Sequence, residues 1–94
     1  MTKIEQLQQL QQFIKNNNLE FVEGRRNSDL VVLCGYALYI NATDIEIWDS
    51  IPEDIEGADF SELETELFRV FSYAEKNNYG KWWENETNRN QYKL

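Results

Sequence analysis

The run Leu30-Val31-Val32-Leu33-Cys34-Gly35-Tyr36-Ala37-Leu38-Tyr39-Ile40 governs the architecture expected of this chain. Its first five residues are all apolar, which suits a strand buried on both faces. Gly35 then reads as a break or bulge, and residues 36–40 as a second strand. On the N-terminal side, Leu19-Glu20-Phe21-Val22-Glu23 alternates in part and is a third strand candidate, followed by a turn over residues 24–29. On the C-terminal side, Asn41-Ala42-Thr43-Asp44 reads as a turn, and Ile45-Glu46-Ile47-Trp48 alternates as an outer strand does. Connections this short join antiparallel strands, not parallel ones. The expectation is a meander of three or four antiparallel strands.

Helices flank that centre. Thr2 and Glu5 have the T-x-x-E spacing of a capping box. Ile4, Leu7, Leu10, Phe13 and Ile14 then recur at three- and four-residue intervals, making one apolar stripe. Asn16-Asn17-Asn18 ends it. A second helix starts at Asp59, which caps it with Glu62 three residues on. It buries Phe60, Leu63, Leu67, Val70, Phe71 and Ala74, and it stops at Asn77-Asn78-Tyr79-Gly80. Lys81-Trp82-Trp83-Glu84 adds a helical turn, and residues 87–94 read as a polar, flexible tail. The fold class expected is therefore α+β: N-terminal helix, antiparallel meander and C-terminal helix in a single domain over residues 1–94, both helices on one sheet face.

Composition limits the chemistry. No histidine is present among the 94 residues, which removes the commonest general base and the commonest zinc ligand. No phosphate loop or nucleophile motif appears, so a non-enzymatic role without cofactor is expected. The single Cys34 lies in an apolar run with no adjacent base or cation, which suits a buried hydrophobe. The chain runs into a helix pattern without a signal peptide, and no apolar stretch approaches the roughly 20 residues of a membrane span. Both features point to the cytoplasm. For Trp82-Trp83 with Tyr79 two readings stand: a hot spot for a partner or a dimer, or one Trp closing the core with the other half-exposed.

The net charge of −8 is unevenly placed. Residues 44–66 hold ten of the seventeen acidic side chains and no Lys or Arg; the flanking parts are nearly neutral. On a strand, Asp44 and Glu46 would share a face at roughly 6.6–6.8 Å. On the second helix, Asp59, Glu62 and Glu66 fall along one side, with neighbours about 5–6 Å apart, and Arg69 is placed to neutralise Glu66. Asp44, Glu46, Asp49, Glu53, Asp54, Glu56, Asp59, Glu62 and Glu66 are thus the candidate partner-binding residues, a single anionic ridge. Asp49, Glu53, Asp54 and Glu56 lack the spacing of a calcium loop, so metal binding is not expected. Arg25-Arg26 is too small a patch to hold nucleic acid directly, given the overall charge.

A globule of this length is roughly 34 Å across, and one DNA strand carries about ten charges over that span. The ridge therefore suits a decoy for the groove of a DNA- or RNA-binding protein. An acidic plug for a nuclease active site and a merely solvated face remain open beside it. The acidic run over residues 44–66, the Asn-, Lys- and Tyr-rich end over residues 77–94 and the small size resemble the phage-encoded DNA-mimic inhibitors of the Arn anti-restriction type. That resemblance implies an α/β fold, a homodimer, action in the host cytoplasm and a restriction nuclease as the partner.

Overall fold

The computed structural model describes residues 2–94 and, among them, contains no strand; about two thirds of the chain is helical. Six helical segments follow one another: α1 Lys3–Asn16, α2 Arg26–Tyr39, α3 Asp44–Ser50, α4 Phe60–Lys76, a 3₁₀ segment Tyr79–Glu84, and α5 Glu86–Arg89. This overturns the α+β expectation, and with it the α/β fold that the anti-restriction resemblance implies.

The correction centres on residues 30–40, of which 30–39 lie in α2 and form no strand. Leu30, Leu33, Cys34 and Ala37, spaced i, i+3, i+4 and i+7, are fully buried. Val31, Val32 and Leu38, on the remaining sides, are half-buried against the same core. Burial on almost every side erases the polar face that marks a surface helix. Packing on α4 and on the 3₁₀ segment outweighs the modest β preference of the two valines. Gly35 is no bulge. It sits mid-helix where the indole of Trp83 crosses, and a β-carbon there would lie 2.8 Å from Trp83 Nε1.

Residues 45–48 are likewise helical, within α3. Thr43 accepts a hydrogen bond from the Glu46 backbone N–H at 3.2 Å, while Glu46 Oε1 accepts from the Thr43 N–H at 2.8 Å, a complete capping box. Ile47 is buried and Ile45, two residues earlier, is 63% exposed, opposite to what a strand with one wet face requires. Residues 19–23 form a loop fastened by Asp29. Its Oδ2 accepts from the backbone N–H groups of Glu20 at 2.9 Å and Phe21 at 3.2 Å. Phe21 is held at φ +58° with its ring in the core.

The flanking helices form for the reasons their caps and stripes suggest, except that Ile4 of the first stripe is 69% exposed and Phe60 of the second is only partly buried. Thr2 caps α1 and Asp59 caps α4 through the N–H groups of Glu5 and Glu62. Leu10, Phe13 and Ile14 of α1, and Leu63, Leu67, Val70, Phe71 and Ala74 of α4, face the core. Phe13 stacks on Tyr36 with ring centroids 4.2 Å apart, and Trp83 meets both rings edge-on. Trp83 closes the core, whereas Trp82 is 41% exposed. Residues 87–94 fold back on the body. Tyr92 lies against Trp83 and Phe13, and Asn17 and Lys93 exchange two hydrogen bonds of 2.8 Å, side chain to backbone. No helix among the described residues is long and apolar enough to cross a membrane.

Cys34 is fully buried. Burial pushes its thiol from 9.0 up to about 12, and the nearby charge of Asp44 adds to the effect. The folded chain therefore keeps this proton where the unfolded chain releases it. The resulting stabilisation is intact below pH 9 and is lost as pH rises toward 12, at up to about 1.4 kcal/mol per pH unit. Urea midpoints measured between pH 8 and pH 10.5 are expected to fall more steeply for the wild type than for Cys34→Ala. Equal slopes would refute the assignment.

Candidate anionic interface

Helix α3 stands where a strand was expected under Asp44 and Glu46, and the nine nominated carboxylates are placed unequally. A helix turns about 100° per residue, so Asp44 and Glu46 point to different sides of α3 and not to one strand face. Asp44, half-buried, accepts from the Ile45 N–H at 2.8 Å. It lines a hollow of about 430 Å³ with Phe71 and Glu75. Glu46 is used up in the capping box, and its Oε2 is buried with no hydrogen-bond partner among the described residues. Asp59 caps α4 through Oδ1, yet it stays exposed and has no ion-pair partner among the described residues.

Glu62 and Glu66 lie on one flank of α4, as their spacing requires, but both are compensated. Arg26 at the start of α2 reaches Glu62 at 3.1 Å, tying the two helices together. Arg69 pairs with Glu66 one turn on. Exposed pairs of this kind stabilise by at most about 1 kcal/mol, yet they cancel charge that a partner would otherwise meet. Glu64, outside the nominated set, projects from the other flank.

Four more of the nominated residues lie at the end of α3 and in the loop after it. Asp49, Glu53, Asp54 and Glu56 reach solvent, and none lies within ion-pair distance of a cation among the described residues. The intervening apolar residues explain the outward display. Ile51 is buried in the core and Ile55 packs against it, while Ser50 is buried and donates to the Ile47 carbonyl at 2.6 Å. The loop is thereby pinned at two points and its acidic residues face out. Asp49, Glu53 and Asp54 rim a hollow of about 930 Å³ whose opposite wall is Gln11, Ile14, Lys15, Leu19 and Glu20. Glu20 itself is paired with Arg25 at 3.3 Å. Among the described residues no group of three carboxylate or thiol side chains converges as a metal site.

The character of this arrangement is electrostatic. Four uncompensated carboxylates on a fixed loop focus negative potential over a small area. All four are apparent in the sequence, as are the Asp59 cap and the Arg69–Glu66 pair; that Arg26 would pair with Glu62 and that a capping box would engage Glu46 is not. No family model, no curated protein and no solved structure matches this chain.

Proposed function

We propose that this chain is a binding domain that docks on a cationic protein surface through Asp49, Glu53, Asp54 and Glu56, and that the surface is one that ordinarily holds nucleic acid. The observation that carries the proposal is the exposure of these four carboxylates, close together in the chain, with no cation within ion-pair distance, while Glu62 and Glu66 are paired with arginines. Such a patch raises the encounter rate with a basic groove and disfavours neutral or acidic partners. The scale is that of a fragment of duplex: four charges correspond to about 14 Å of one DNA strand, on a body measuring 34 × 25 × 24 Å.

The test uses the full chain as bait in a lysate, with and without competing duplex DNA, beside a variant carrying Asp49→Asn, Glu53→Gln, Asp54→Asn and Glu56→Gln. Wild type is expected to retain nucleic-acid-binding proteins that duplex DNA releases. The quadruple variant is expected to lose at least about ten-fold in association rate with the purified partner at low salt. Partners that ignore both the competitor and the quadruple change would sink the proposal. A single partner lost only when its own active site is altered would point instead to an acidic plug.

A further inference from the structure

We propose that the groove between α2 and the 3₁₀ segment is a binding site for a flat, uncharged ring that carries a hydrogen-bond acceptor. The hollow measures about 480 Å³, within the range of roughly 300–1,000 Å³ typical of small-ligand pockets. Its walls are Val31 and Val32 of α2, Tyr79, Trp82 and Trp83 of the 3₁₀ segment, and Tyr92 beyond it. Asn77 and Asn78 supply the polar edge, and no charged side chain lines it.

One feature of the lining gives the ligand's chemistry. Trp83 as a whole is 3% exposed, its indole N–H donates to no acceptor among the described residues, and Nε1 is not among the buried atoms left without a partner, so the donor opens onto the groove that Trp83 lines. The N–H lies against Gly35, where the missing β-carbon would have stood 2.8 Å from Nε1. Gly35 also lines the groove, so the donor meets the hollow and not a methyl group.

The chemistry follows from these parts. Aromatic walls favour a planar ring, and a carbonyl-type acceptor on it would complete the indole hydrogen bond. The uncharged lining disfavours an ion, since nothing there would replace its lost hydration. The net charge of −8 repels an anion further. The groove is built from residues other than those of the anionic loop, so either proposal can fail without the other.

The experiment titrates ¹⁵N-labelled full-length chain with benzamide, which combines a flat ring and a carbonyl acceptor. Toluene (flat, no acceptor) and cyclohexanecarboxamide (acceptor, not flat) are run in parallel. Benzamide is expected to move the Trp83 indole N–H resonance saturably, with at least five-fold tighter apparent binding than either comparison compound. Gly35→Ala is expected to abolish the shift by covering the donor. Because that variant can also disturb packing, Trp82→Ala, at a half-exposed wall, provides a second arm. It is expected to weaken benzamide at least five-fold with an unchanged far-ultraviolet circular dichroism spectrum. No saturable shift, equal binding of all three compounds, or full affinity in a folded Trp82→Ala chain would overturn the proposal.

Discussion

Trp83→Ala is expected to lower the free energy of unfolding by about 3–5 kcal/mol, the usual cost of deleting a buried aromatic side chain. A small domain has only about 5–15 kcal/mol in total, so this one change removes between about a fifth and all of that margin. Trp83 is the common neighbour of Phe13, Tyr36, Trp82 and Tyr92, with ring centroids 5.5, 5.4, 5.1 and 4.9 Å away. Removing it opens a void between α1, α2 and the C-terminal segment that none of these rings can fill without abandoning another contact. Urea unfolding followed by circular dichroism checks the figure. Trp82→Ala serves as the comparison, since a residue 41% exposed forfeits much less buried area. Equal losses for the two variants would show that the aromatic cluster is not centred on Trp83.

Asp29→Ala is expected to cost about 2–5 kcal/mol, because its carboxylate satisfies two backbone donors at once. It sits in the first turn of α2 and is 5% exposed. Its other oxygen lies 3.6 Å from Arg25. Alanine leaves the Glu20 and Phe21 N–H groups without an acceptor, at about 1–3 kcal/mol for the buried Phe21 group and less for the part-buried Glu20 group. It also frees Phe21 from a left-handed conformation that a bulky residue adopts only when its surroundings impose it. Asp29→Asn keeps a carbonyl oxygen in the same place and is expected to lose about half as much. Hydrogen exchange at the two amides gives a local readout: both should accelerate in the Ala chain. Unchanged protection would remove Asp29 from this role.

The outer helices are legible in the sequence because each signal is one-sided. A single apolar stripe with a cap at its head, as at Thr2 or Asp59, has few other interpretations. α2 is illegible for the opposite reason. Neighbours on almost every side allow it apolar residues all round, so periodicity does not separate helix from strand and composition alone suggests a strand. Length is the discriminating clue: eleven nearly uninterrupted apolar residues exceed the mean strand of about 5–6. α3 carries a plainer mark. Thr43-Asp44-Ile45-Glu46 repeats the T-x-x-E spacing that identifies α1, and the chance alternation after it obscures the cap. The site follows the same logic. That the negative charge is concentrated in residues 44–66 is a property of the sequence and survives any fold. Which carboxylates stay free depends on where Arg26 lands and on whether residues 44–46 are strand or helix. The aromatic groove joins residues 31–35 to residues 77–92 and exists only once α2 is a helix.

The Phe13–Tyr36 stack receives its cover from Trp83 and Tyr92, far along the chain, and Lys93 secures that cover to Asn17. Ribosomes make about 5–20 residues per second, N-terminus first. On that clock the nascent chain presents α1 and α2 with their aromatic faces bare for several seconds before the covering residues exist. The period of greatest exposure to aggregation and to chaperones therefore belongs to biosynthesis. Refolding of the finished chain, which has its cover from the start, bypasses that interval.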